Sequence, residues 1–179
     1  MTSARASAFA LWRRVFAGHP LRIGGLALVL LVGAAVAWYL GSPLFLRTYA
    51  EEALPGASAA ATQVGGADAR VIAVGELGFV DPVHNGKGPV RLVAVGSRRF
   101  VRFENVAIQN GPDLHVYLSP DTGGKYTDAT SLYLGPLKAT NGSFNYELPP
   151  TVDLARYRSV VVWCRAFSVL FTWADLKEQ

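Results

Sequence analysis

The 179-residue chain contains one cysteine, one methionine and three histidines. A single thiol cannot form an intramolecular disulfide, and so few sulfur and imidazole groups exclude the usual zinc-finger spacings. The lone methionine is Met1, which cannot serve as the axial ligand of a copper electron-transfer site. The chain has no CxxCH haem-attachment motif, phosphate-binding glycine loop, Ser/His/Asp arrangement or paired-carboxylate motif. A stand-alone hydrolase or transferase therefore has no visible machinery here. Charge is scarce too, with 17% Asp, Glu, Lys and Arg against 51% hydrophobic residues.

The apolar excess lies near the N-terminus. No charged residue occurs from Ile23 to Leu46, a run of 24 residues. As a helix this run extends about 36 Å, enough for a hydrocarbon core of about 30 Å. Arg5, Arg13, Arg14 and Arg22 precede it, and Arg47, Glu51 and Glu52 follow. The positive-inside bias predicts a single-pass anchor with a cytoplasmic N-terminus and the remainder periplasmic or extracellular. A cleaved signal peptide is the alternative, since Ala35-Val36-Ala37 has the small-x-small pattern. Arg13-Arg14 also resembles part of a twin-arginine export signal.

Before Ala67 there are five Lys and Arg against two Asp and Glu, leaving 12 against 11 beyond it. The outer part is thus nearly neutral, and nucleic acid is not an expected partner. Four segments follow: a basic tail at 1–22, a membrane helix at 23–46, a linker at 47–66 and a folded domain at 67–179. The linker reads as helical through Arg47–Leu54 and then flexible through Pro55–Gly66, rich in small residues.

The domain reads as all-β, a single antiparallel sandwich or barrel-like fold of about eight short strands. These are Val71–Val80 (interrupted by Gly75 and Gly78), Val90–Val95, Phe100–Asn105, Leu114–Leu118, Ser131–Leu137, Ser143–Leu148, Ser159–Cys164 and Phe167–Trp173. Turn signals include Asn85-Gly86, Asn110–Asp113, Gly123-Gly124 and Asn141-Gly142.

Strand parity places Val160, Val162 and Cys164 on one uniformly apolar face, opposite Val161, Trp163 and Arg165. Cys164 therefore reads as a core residue, a ligand or a reactive thiol. His115 and Tyr117 face away from Leu114, Val116 and Leu118, so a Cys164–His115 partnership requires a bulge or a rim position. His84 sits in a turn-like loop. Cys164, His84 and His115 are candidate cofactor ligands, with Asp113 and Trp163 as further candidate residues, and a set of cysteine and histidine suits copper, zinc or haem iron. Trp163, Phe167, Phe171 and Trp173 read as core aromatics rather than an electron-hopping path.

Val101–Ser119, with its Gly111-Pro112-Asp113-Leu114-His115, resembles the DM13 domain family. Matches continue in order through Leu134–Lys138, Asn141–Tyr146, Val152–Ser159, Val162–Phe171 and Ala174–Leu176. Upstream, Gly75–Phe79 and His84–Gly88 resemble the family's opening strand and turn. The resemblance covers about residues 72–177. It implies an extracytoplasmic β-domain, related to modules found in animals beside haem- or sugar-binding DOMON domains. It also implies an electron-transfer or redox role in which the family's characteristic cysteine, here Cys164, acts as a thiol or holds a prosthetic group. Haem or copper, or no cofactor at all, are the resulting expectations, with an envelope redox partner or surface protein. The competing expectation is a binding or scaffold module in which Cys164 is only a core residue.

Overall fold

The computed structural model describes residues 20–55 and 69–179. The arginines Arg5, Arg13 and Arg14 and most of the expected flexible linker lie outside the described residues.

Helix α1, Pro20–Phe45, carries no charge beyond Arg22 and is long and apolar enough to cross a membrane. Its first residue is a proline, which suits a helix start because the missing N–H has no helical acceptor there. The helix forms one compact unit and the β-rich remainder another.

The remainder is a sandwich. Its strands are β1 (Tyr49–Glu51), β2 (Ala69–Glu76), β3 (Phe79–Asp81), β4 (His84–Lys87), β5 (Pro89–Val95), β6 (Arg98–Ile108), β7 (Leu114–Ser119), β8 (Leu132–Pro136), β9 (Asn141–Leu148), β10 (Ser159–Cys164), β11 (Val169–Asp175) and β12 (Lys177–Glu178). The larger sheet runs β1-β9-β6-β5-β2-β12, with β4 pairing on β6 and β3 on β4. The smaller runs β11-β10-β7-β8. Neither sheet closes into a barrel, so the sandwich alternative holds.

The core lies between the sheets. Val90, Val101 and Phe103 from the larger sheet meet Val116, Leu118, Val160, Val162 and Cys164 from the smaller. Phe103 stacks on Phe144 with centroids 4.9 Å apart. These are the alternate residues of each strand, so the period-two pattern reaches the core intact.

The expected helix at Arg47–Leu54 is absent. Tyr49–Glu51 instead adds a strand to β9, the one parallel pair among the described strands. Thr48 and Thr140 clamp its start, each backbone N–H donating to the other's hydroxyl at 3.0 Å. Leu54 then packs with Val93, Val95 and Phe100 on the larger sheet's outer face. Tertiary pairing thus overrides a short helical pattern with no partner of its own.

Two turn expectations also fail. Asn85-Gly86 lies inside β4 and Asn141-Gly142 opens β9. Gly142 has φ +104°, and a Cβ there would collide with the Ala50 carbonyl of β1. Glycine is needed because the parallel neighbour comes so close. Of the two expected breaks, Gly78 separates β2 from β3, whereas Gly75 stays within β2.

Candidate functional site

Cys164 ends β10. Its cross-strand partners are Leu114 on β7 and Val169 on β11, and the thiol is fully buried in the core. His115 pairs with Trp163, one rung away, so it belongs to the other side of the sheet. Cys164 and His115 therefore do not share a site, as strand parity predicts.

His84 is occupied elsewhere. Its Nδ1 lies 2.7 Å from Asp81 Oδ2, and its ring meets Phe171 edge-on at 4.7 Å. Asp81 also accepts the backbone N–H groups of Val83 and His84 at 2.8 Å. The His84 hydrogen bond, aided by those two N–H groups, holds the Asp81 carboxyl below its ordinary value. This is the hydrogen bonding of a fixed turn. Among the described residues no three His, Cys, Asp or Glu side chains converge as a metal site. A thiol enclosed by Leu114 and Val169, with His115 on the opposite face, does not fit a haem or copper ion held by these candidates.

The outer face of the smaller sheet is different. β7 presents His115 and Tyr117, β8 presents Tyr133 and β10 presents Trp163. The connection from β7 to β8 folds across them and lays Tyr126 on top. Ring centroids are 4.7 Å apart for Trp163–Tyr126, 4.6 Å for Tyr126–Tyr117 and 5.2 Å for Tyr117–Tyr133. Tyr117, in the middle, is 1% exposed, whereas Tyr133 at the end is 44% exposed.

The crossing loop is pinned at several points. Ser119 Oγ donates to the Lys125 carbonyl at 2.8 Å and Ser159 Oγ to the Asp121 carbonyl at 2.7 Å. Gly123 N–H donates to Asp175 at 2.9 Å. Gly124, at φ +74°, passes so close to Leu170 and Trp173 that a Cβ would overlap the Leu170 side chain.

Polar groups rim the aromatic row. Arg165 sits over the Tyr133 ring at 4.3 Å, and its Nε donates to the Tyr117 hydroxyl at 2.6 Å. Burial, then contacts with the Tyr117 hydroxyl and Asp128, push the Tyr126 phenol above its ordinary value. At the far end His115 Nε2 lies 2.7 Å from Asp113 Oδ1 and its Nδ1 lies 2.9 Å from the Tyr133 hydroxyl. A carboxylate can only accept, so Nε2 carries the hydrogen and Nδ1 of the neutral ring accepts from Tyr133.

A family model described as "Electron transfer DM13" matches residues 78–176. The chain belongs to the DM13 family. No curated protein and no solved structure matches it significantly. The DM13 match begins at Gly78, yet the sandwich also needs β2, which lies between β5 and β12, and β1 at its other edge.

Among the sequence candidates, the DM13 fold brings Asp113, His115 and Trp163 onto one face, leaves Cys164 in the core and sets His84 against Asp81 and Phe171. The expected core role of the later aromatics holds for Phe171 alone: Trp163 and Trp173 are half-buried and Phe167 is 57% exposed. Tyr117, Tyr126, Tyr133 and Arg165 escaped the candidate set. One signal was present, because Tyr117 alternates with the core residues of β7. A tyrosine on a non-core face is buried only if another segment covers it, and Tyr126 supplies that cover.

Proposed function

We propose that this DM13 protein is a membrane-anchored electron-transfer module whose domain lies outside the cytoplasm. Its redox path is the aromatic outer face of the smaller sheet. The observation that carries this reading is the unbroken row Trp163–Tyr126–Tyr117–Tyr133, with successive centroids no more than 5.2 Å apart. Tyrosine and tryptophan are the side chains most readily oxidised by one electron after cysteine. Rings in contact overlap well enough to exchange an electron, and both ends of this row reach solvent. The family's electron-transfer description and the charge asymmetry around α1 support the role and its placement.

In this reading Cys164 is a packing residue. Its thiol is fully buried among the apolar core residues, out of reach of an attacking partner. The partner is a one-electron donor or acceptor of the cell envelope. A docking role is the second reading, favoured by the exposed apolar residues Phe79, Val80 and Val83 around the β3–β4 hairpin.

Two experiments test the proposal. A membrane-impermeant maleimide should label a Thr127→Cys variant of the full chain in intact cells or spheroplasts. Photo-oxidation of the full chain in detergent micelles should give radicals on the aromatic row. Those radicals should disappear in a variant combining Tyr117→Phe, Tyr126→Phe, Tyr133→Phe and Trp163→Phe. Undiminished radical yield in that variant overturns the path, and labelling only after cell lysis overturns the placement.

A further inference from the structure

We propose that Tyr133, His115 and Asp113 form a proton-coupled one-electron site at the solvent-exposed end of the aromatic row. This deepens the electron-transfer reading and rests on it. The three groups are linked in series, Tyr133 hydroxyl to His115 Nδ1 at 2.9 Å and His115 Nε2 to Asp113 Oδ1 at 2.7 Å. They come from three places: the turn before β7, β7 itself and β8.

The chemistry follows from the neighbours. Arg165 places a guanidinium 4.3 Å from the centre of the Tyr133 ring. A fixed cation so close disfavours a positively charged oxidised ring, so the phenolic proton must leave with the electron. His115 is the acceptor already in hydrogen-bonding position, and its ring is 12% exposed, which limits competing water. Asp113 fixes the tautomer that leaves Nδ1 free to accept, and it stabilises the imidazolium that forms.

One electron passes from Tyr133 to a high-potential, metal-centred one-electron oxidant on a partner. The Tyr133 O–H bond breaks and its proton forms the Nδ1–H bond of His115. The products are a neutral Tyr133 phenoxyl radical, a His115 imidazolium paired with Asp113, and the reduced oxidant. A one-electron donor reverses the step, and the proton returns from Nδ1 to the phenolate oxygen. The titratable and charged groups around His115 are Asp113 from the turn, Tyr133 from β8, Tyr117 along β7 and Arg165 beyond β10. Tyr133 is therefore the electron donor, His115 the proton acceptor and Asp113 a positioning residue.

The test uses the full chain in detergent micelles with flash-generated ruthenium(III) tris-bipyridine as oxidant, read by transient absorption and electron paramagnetic resonance. The wild-type protein should give a phenoxyl radical that is lost in Tyr133→Phe. His115→Gln should slow radical formation and remove its pH dependence. Asp113→Asn should slow formation while retaining a pH dependence. Circular dichroism reports that each variant stays folded, and Tyr133→Phe keeps the ring. A radical undiminished in Tyr133→Phe, or a rate and pH profile indifferent to His115→Gln, overturns the site. If radicals form on Trp163 or Tyr126 but never on Tyr133, this site fails and the electron path survives. If no residue of the row is oxidised, both fail.

Discussion

Cys164 and His115 stand on adjacent rungs of the β7–β10 ladder, opposite Leu114 and Trp163 respectively, and face opposite sides of the sheet. The thiol belongs to the core and the imidazole to the aromatic surface. This one-residue offset separates the chain's single thiol from the histidine of the aromatic face.

The thiol should therefore behave as an apolar side chain. An aromatic disulfide reagent should leave it unmodified in the native protein and titrate one thiol after denaturation. Cys164→Ser places a hydroxyl among Leu114 and Val169 and should cost about 1–3 kcal/mol in chemical denaturation. The photo-oxidation products should stay the same. Rapid labelling of native protein would contradict this account.

The cover over Tyr117 depends on the loop's close approach to β11. Gly124→Ala introduces a side chain at φ +74° against Leu170, which should cost about 1–3 kcal/mol. Amide hydrogen exchange in residues 120–131 should accelerate more than in β10. Uniform acceleration across the domain would mean that the loop is not a separate cover.

The Tyr49–Leu54 segment is an integral part of the domain. Leu54 is 4% exposed among Val93, Val95 and Phe100, so Leu54→Ala should cost about 2–5 kcal/mol. A chain starting at residue 67 should lose at least as much, because it also lacks β1.

Acid should loosen the same segment. Burial acts to raise the Glu52 carboxyl, but hydrogen bonds from Lys138 and the Asn145 N–H outweigh it and hold the group below its ordinary 4.5. A carboxyl depressed in the folded state stabilises the fold above its unfolded value. That contribution fades as pH falls below 4.5 and through the lower folded value. Glu52→Gln should therefore flatten the acid limb of the stability profile, and an unchanged limb would rule out this linkage.

The sandwich was legible because core residues recur at alternate positions, as in Leu114, Val116 and Leu118 against His115 and Tyr117. The Tyr49–Leu54 segment was not, because it is too short to carry a period and takes its form from Thr140, Ala50–Gly142 pairing and Phe100. Glycine signals misled at Gly86 and Gly142, where close packing rather than a turn requires the missing side chain. A Cβ at Gly86 would come within 2.9 Å of Thr172. The aromatic face was half legible. Asp113, His115 and Trp163 stood out as residues, but Tyr126 and Tyr133 join them only through a loop crossing that local patterns do not encode.

Arg165 should tune the row. Arg165→Met keeps an apolar stem over Tyr133 and removes the cation, so Tyr133 should become easier to oxidise. The lost hydrogen bond to Tyr117 should cost about 1 kcal/mol of stability. Voltammetry of the full chain should show a lower Tyr133 potential, and a raised potential would contradict the role given to this charge.

The most direct measurement places a ruthenium photosensitiser on Lys125→Cys, beside Tyr126. The buried Cys164 should leave the introduced thiol as the single labelling site. After the flash, a Tyr133 radical should form, and Tyr117→Phe should slow its appearance several-fold by removing the oxidisable ring between Tyr126 and Tyr133. The same rate with phenylalanine at position 117, or no radical on any ring of the row, would contradict electron transfer along this face.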